Sequence, residues 1–311
     1  MNETKIEWCD KTWNPITGCT KCSPGCVNCY AFKIAYTRLA GRFGYPADDP
    51  FRPGTFHPSR LNEPTKLKKM SRIFVSSMGD LFHEDVANEH LWPIFSEMCG
   101  TQWINGHVFL LLTKRPKRMR EVIELIKEDL EEQRKPIINP DGTKTIRLTF
   151  GFPLNNIWLG VTVCNQQEAD EKIPILLGIP ADKRFVSIEP MLGPVDVSRY
   201  ISRGDYYMTK CEYCGWVGTS ELCGTGDCFA SDDVICPECK KSICGNDHPG
   251  LDWVISGSET GPKARPANPD WFRSIRDQCL TAKVPFFLKQ INARHHDELD
   301  GQKWKQFPKR S

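Results

Sequence analysis

Ile157-Trp158-Leu159-Gly160-Val161-Thr162-Val163, then a helix-like stretch at 165–177, then Lys183-Arg184-Phe185-Val186-Ser187-Ile188, is the passage that decides the fold class. Near-continuous apolar strands separated by a helix argue for a parallel sheet buried on both faces. The same alternation continues outward in both directions. Strands are expected at Arg72–Ser77, His107–Thr113, Leu251–Ser256 and Val284–Leu288, and helices near 29–41, 88–99, 116–133 and 268–282. The expectation is an α/β fold, a full or partial (β/α) TIM-type barrel. Two stretches break the pattern. Residues 135–155, with Pro136, Pro140, Asp141-Gly142 and Pro153, read as a surface loop or hairpin. Residues 199–249 read as an insertion between a first barrel segment, 1–198, and its last strands and carboxyl-terminal segment, 250–311.

Bulk properties bound the function. The 311 residues are 40% hydrophobic, with nine Trp and sixteen Phe, which supports a sizeable core. The longest unbroken apolar run, Val108 to Leu112, is far too short for a bilayer, and the charged beginning does not resemble a signal peptide. A cytoplasmic protein without membrane contact is therefore expected, its clustered cysteines serving metals and not disulfides. The net charge of +2 offers no global case for nucleic-acid binding, so any such case must be local.

The cysteines fall into two groups. Five of the fifteen lie in the first 29 residues, most of them in Gly18-Cys19-Thr20-Lys21-Cys22-Ser23-Pro24-Gly25-Cys26-Val27-Asn28-Cys29-Tyr30. Cys26 and Cys29 share a turn that Pro24 and Gly25 are suited to fold. With Cys22 the spacing is C-x3-C-x2-C, that of radical S-adenosylmethionine (SAM) enzymes; with Cys19 it is C-x6-C-x2-C. Either choice leaves one iron of a [4Fe-4S] cluster without a protein thiolate. All four together would instead make a closed zinc or cluster site. The second group lies in the insertion, where Cys211-x2-Cys214 and Cys236-x2-Cys239 have 21 residues between them, a spacing suited to tetrahedral zinc. Cys223, Cys228, Cys244 and His248 are either a second site or ordinary thiols and a surface histidine. A ribbon of this size would owe its folding to the metal.

In β/α barrels, reactive residues gather where the strands end. The polar residues at those ends here are Ser76, Ser77 and Asp80; Thr113, Lys114 and Arg115; Thr162 and Asn165; Glu189; Ser258 and Glu259; and Lys289 with Gln290, any one of which could equally be an ordinary helix cap or loop residue. Lys114-Arg115-Pro116-Lys117-Arg118-Met119-Arg120 puts five cations at a helix start, where the dipole disfavours them. Anion binding would offset that cost, as would pairing with Glu121 and Glu124. Ser256-Gly257-Ser258-Glu259-Thr260-Gly261-Pro262 suits a phosphate or adenine contact but lacks the P-loop pattern.

Seven stretches, IEWCDKTWNPITGCTKCSPGCVNCYA, VSSMGDLFHEDV, LLTKRP, NIWLGVTVCNQ, RFVSIEPMLGPVD, WVISGSETGPKARPANPDWFRSIRDQC and VPFFLKQ, run through most of the chain. Through them the sequence resembles a phage- and bacterium-borne family defined by a three-cysteine motif and regarded as radical-SAM-like. The resemblance implies a partial (β/α) barrel holding [4Fe-4S] and SAM, with Cys19, Cys26 and Cys29 as cluster ligands. Cys22 stands where that pattern is usually apolar, and the zinc ribbon is an elaboration. Cleavage of SAM to a 5′-deoxyadenosyl radical that takes hydrogen from a substrate is then expected. By analogy, Ser76, Ser77, Asp80, Lys114, Arg115, Thr162, Ser256, Gly257 and Glu259 would meet SAM, while Glu189 and Lys289 would serve the reaction. The implied partners are a reductase or flavodoxin-type electron donor and a nucleotide or nucleic-acid substrate. The competing expectations are a non-catalytic nucleic-acid-binding or adaptor protein stabilised by its metals, and a redox sensor without turnover.

Overall fold

The computed structural model describes residues 2–135, 137–138, 144–145, 151–201, 208–211, 213–214, 217–219, 224–225, 233–244, 250–261, 263–292 and 296–309. The chain divides into two compact units, one formed by Met1–Thr20 and Tyr30–Trp158, the other by Lys21–Cys29 and Leu159–Arg310.

In the first unit, strand β1 (Lys11–Trp13) leads through the short helix α1 (Tyr30–Ile34), which continues as a π turn over Ala35–Leu39. Strand β2 (Arg72–Val75), helix α2 (Asn88–Ile104), strand β3 (Val108–Thr113) and helix α3 (Pro116–Arg134) follow. β1, β2 and β3 lie side by side and parallel, with Trp13 opposite Val75 and Val75 opposite Leu111. Helix α3 is amphipathic: Met119, Val122, Ile123, Ile126 and Leu130 recur three or four residues apart and are all buried, and Pro116 occupies the first turn, where a missing N–H costs nothing. Strand β4 (Ile157–Val163) begins in this unit, with Asn156 accepting from the N–H of Phe109 at 2.8 Å, and passes into the second.

Beyond β4, the second unit runs through helix α4 (Gln166–Leu177), strand β5 (Lys183–Ile188), helix α5 (Ser198–Ile201), strand β6 (Trp253–Ser256), helix α6 (Pro269–Thr281) and strand β7 (Phe286–Leu288). The sheet order here is β4, β5, β6, β7, with β5, β6 and β7 parallel. All seven residues of β4 are buried, as a strand covered on both faces requires. Asn165 and Asn268 cap α4 and α6 by accepting from Glu168 N–H and Asp270 N–H.

The mixed α/β class with parallel strands is what the alternating pattern predicts, and β4 and β5 fall on their expected bounds. Three departures have physical causes. The strand expected over Arg72–Ser77 stops at Val75, because Ser76 turns into the left-handed region with φ 56°. The expected helix over 29–41 is α-helical only to Ile34 before the π turn. β1 escapes the sequence pattern because Lys-Thr-Trp carries no apolar run; its pairing with β2 makes it a strand. Of the loop or hairpin expected over 135–155, the described part is a hairpin, in which Ile137–Ile138 pairs antiparallel with Lys144–Thr145. Among the described residues no helix is long and apolar enough to cross a membrane.

Gly160 lets β5 approach β4. A Cβ there would lie 2.5 Å from the ring of Phe185, itself fully buried. Gly160→Ala is expected to destabilise the protein by about 1–3 kcal/mol through overpacking, read as a lower urea midpoint with an unchanged slope.

Candidate functional site

In the first unit, the candidate residues converge on one buried guanidinium. Gly18 has φ 84°, and a Cβ on it would stand 1.8 Å from the Arg52 carbonyl oxygen, so only glycine admits this path. Its N–H donates to Met78 O, and Cys19 N–H to Phe51 O, which fixes the following residues, Cys19 and Thr20. Arg115 reaches them from the start of α3: Nη1 lies 3.4 Å from Cys19 Sγ, and Nη2 donates to the carbonyl and hydroxyl oxygens of Thr20 at 3.2 and 2.8 Å. Its Nε donates to Glu84 at 2.8 Å, and Nη1 lies 3.5 Å from Asp80. Asp80 accepts from the Thr113 hydroxyl at 2.8 Å, and that hydroxyl oxygen accepts the Arg115 N–H. The expected anion-binding arginine is therefore held by carboxylates, a carbonyl and a sulfur. Arg118, another cation of the basic run, pairs with Glu121 at 3.2 Å and reaches Asn88.

His83 completes the group. Its Nδ1 accepts the Asp85 N–H at 3.1 Å and its Nε2 lies 2.8 Å from the Thr20 hydroxyl. Burial, and then the charge of Arg115, push its pKa down, so the ring is neutral at pH 7. Ser77 donates to Asn14 and its carbonyl accepts from the Tyr30 hydroxyl at 2.6 Å. Ser76 differs from all of these. It is buried with a positive φ, and its Oγ has no hydrogen-bond partner among the described residues.

In the second unit, Pro24–Cys26 form a single 3₁₀ turn capped by Ser23, whose Oγ accepts the Gly25 N–H at 3.1 Å. Pro24 and Gly25 thus fold the cysteine loop as expected. A Cβ on Gly25 would meet Cys164 Sγ at 2.4 Å, so the loop crosses this buried thiol with no room to spare. Glu259 ties the loop down from the other side: Asn28 Nδ2 donates to it at 2.9 Å, and Arg265 pairs with it while donating to Pro24 O at 3.0 Å. The hydrogen bond from Arg265, against the opposing effect of burial, lowers the Glu259 pKa to about 2. Glu259 therefore anchors the loop as a fixed carboxylate.

Glu189, ending β5, pairs with Lys289, ending β7, and lies 3.4 Å from the Gln290 amide. Gly257 makes the closeness possible, since a Cβ on it would stand 3.2 Å from Gln290 Nε2 and 3.5 Å from Glu189 Cδ. Ser256 instead packs its hydroxyl against Met191 Sδ, and Thr162 offers its carbonyl to Lys172, whose other partner is Glu168. Both Thr162 and Ser256 are buried. Lys114 is half-buried at the end of β3.

Four further thiols form a metal-binding set. Cys211 and Cys214 follow a short strand, Met208–Lys210, that pairs with Val217–Thr219, and Cys236 and Cys239 sit between the paired strands Asp233–Ile235 and Ser242–Cys244. Two antiparallel hairpins thus carry one knuckle each. The sulfurs of Cys211 and Cys239 lie 3.5 Å apart, those of Cys214 and Cys236 3.7 Å apart, and all four within 4.8 Å of one another. Burial opposes ionisation of Cys211, but the backbone N–H groups of Cys214 and Tyr213 outweigh it and bring the thiol down to about 7. Four such sulfurs can hold zinc. Cys223, Cys228 and His248 lie outside the described residues, as does the side chain of Cys244.

Across residues 3–308 the chain matches the model of a family described as a protein of unknown function, DUF5131. The chain belongs to the DUF5131 family. No curated protein and no solved structure matches it. Several contacts of this DUF5131 protein were not legible in its sequence. His83 and Glu84 follow the Asp80 motif directly, yet nothing in the sequence brings Thr20 to them. Asn28 and Arg265 are separated by most of the chain. Cys164, a single apolar thiol at a strand end, carries no spacing signal.

Two outcomes are expected of DUF5131 variants. Metal analysis of the purified protein should find about one zinc per chain, lost in Cys236→Ser. Glu259 contributes stability that is complete above its ordinary value of 4.5 and is lost as pH falls toward its folded value of about 2. The melting temperature of Glu259→Gln should accordingly lie below wild type at pH 7, by a gap that narrows through that acid window.

Proposed function

We propose that this DUF5131 protein is a radical SAM enzyme in which Cys19, Cys26 and Cys29 hold a [4Fe-4S] cluster and the substrate is a nucleotide or nucleic acid. The observation that carries the reading is the buried array after β2 and β3, where Arg115 meets the Cys19 sulfur; Ser76, also after β2, is buried with an Oγ that has no hydrogen-bond partner among the described residues. The residues suit both groups. Cys19, Cys26 and Cys29 supply three sulfurs from one short stretch of sequence, and the guanidinium 3.4 Å from Cys19 Sγ would offset thiolate charge. Ser76 has a donor and lone pairs to spend on the polar methionine or ribose portion of SAM. When bound, the cluster supplies the electron for reductive cleavage of the SAM sulfonium, itself delivered by a reductase or flavodoxin-type donor.

The chain's own residues would divide the remaining work. Asp80 and Thr113 hold Arg115 in place, and the buried setting of Asp80, Thr113, Arg115 and Ser76 keeps water away. Glu259 and Arg265 fix the Pro24–Cys26 turn. Glu189 and Lys289 offer a paired carboxylate and ammonium to the substrate, and Gly257 leaves room for them.

The test is anaerobic. After reconstitution with iron and sulfide and reduction by dithionite, the EPR spectrum should show a [4Fe-4S] signal that shifts when SAM is added, and 5′-deoxyadenosine should accumulate. Cys22→Ala should keep the cluster and Cys19→Ala should lose it; the reverse would reassign the ligand. Zinc alone, or a cluster indifferent to SAM, would favour the adaptor or the redox sensor.

A further inference from the structure

From Lys11 to Ala47 the sequence holds Lys11, Lys21, Lys33, Arg38 and Arg42 and no aspartate or glutamate. Within the first unit, the part of this interval that follows the cysteine loop also exposes aromatic rings. Tyr30 is 51% exposed, Phe32 43%, Tyr36 45% and Phe43 75%. Soluble proteins do not usually leave four large rings in one short segment to water without a use for them.

The segment is built to keep them there. Tyr30, Phe32 and Tyr36 lie on α1 and its π turn, and the Phe32 and Tyr36 rings contact each other at 4.6 Å with a 36° tilt. The Tyr30 hydroxyl is held by Ser77 O and the Tyr36 hydroxyl by Asp49, so neither ring is loose. Phe43 is held by its backbone. It has φ 54° between Gly41 and Gly44, both at positive φ, and its carbonyl accepts from Arg60 at 2.5 Å. Phe43 thus occupies a costly conformation that leaves its ring in solvent. Lys33, Arg38 and Arg42 are exposed and alternate with the aromatic residues along the chain; the nearest acids in sequence, Asp48 and Asp49, are engaged with Arg52 and Tyr36.

We propose that Tyr30, Phe32, Tyr36 and Phe43, with Lys33, Arg38 and Arg42, form a docking platform for single-stranded nucleic acid. Exposed π faces accept unpaired bases of any sequence, and interleaved cations take the phosphates. A duplex offers its bases only at their edges and cannot stack on the rings. An acidic protein partner would use the cations but would not need four presented rings. The binding does not depend on the radical chemistry proposed above; only the step that would make the bound strand its substrate does.

Fluorescence anisotropy of a labelled oligothymidylate on the full chain tests this, without iron reconstitution. Saturable binding is expected, weakened about tenfold by Phe43→Ala or Tyr36→Ala and retained by Phe43→Trp. In Arg38→Gln/Arg42→Gln the plot of log affinity against log salt should flatten by about 0.7 for each cation removed. Circular dichroism of each variant should match wild type, since the altered side chains are exposed. The proposal is overturned by absence of binding, by equal affinity of the wild type and the alanine variants, or by preference for duplex of the same length. Failure here with a SAM-responsive cluster intact would leave the enzymatic reading standing.

Discussion

Burying the Arg115 guanidinium is the constraint on which the organisation of the first unit rests. A guanidinium cannot lose its charge, so its N–H groups must find acceptors or carry a desolvation cost of several kcal/mol. Asp80, Glu84, Thr20 and the Cys19 sulfur answer that demand. These acceptors come from the loop after β2 and from the segment after Gly18, while Arg115 itself begins α3. One cation therefore joins three stretches of chain that no local propensity would bring together. It also explains why a helix start rich in positive charge is tolerated: the most buried of those charges is compensated by carboxylates across the fold and not along the helix.

Glycines set the other close approaches. Gly18 passes against the Arg52 carbonyl, Gly25 against Cys164, Gly160 against Phe185, and Gly257 against the Glu189, Lys289 and Gln290 side chains. At Gly18, Gly25 and Gly160 an added methyl would overlap its neighbour at 1.8–2.5 Å, while at Gly257 it would press on side chains at 3.2–3.5 Å. The cysteine loop depends on two of these crossings, one in each unit. Its conformation is thus specified by backbone clearance as much as by hydrogen bonds.

The two cysteine groups differ in character. The knuckles at Cys211, Cys214, Cys236 and Cys239 bring four sulfurs within 4.8 Å of one another, a set that could hold a metal ion such as zinc. The amino-terminal loop is held instead by protein contacts: a capped 3₁₀ turn, the Glu259–Arg265 pair and the Arg115 contact.

The sequence by itself determined the alternation of buried strands and helices, because burial on both faces leaves a continuous apolar run and amphipathic packing leaves a 3.6-residue period. It also determined the four-cysteine metal-binding set, whose members are paired within each knuckle, and the Pro24-Gly25 turn, which is local. Tertiary structure alone decided that Lys11–Trp13 is a strand, since its pairing partner lies far along the chain. It alone decided that Arg115 faces a sulfur, that the Ser76 hydroxyl has no hydrogen-bond partner among the described residues, and that Asn28 and Arg265 meet at Glu259. These are contacts between residues separated by tens to hundreds of positions. Their geometry follows from sheet register and glycine clearance, and neither carries a periodic or spacing signal in the sequence.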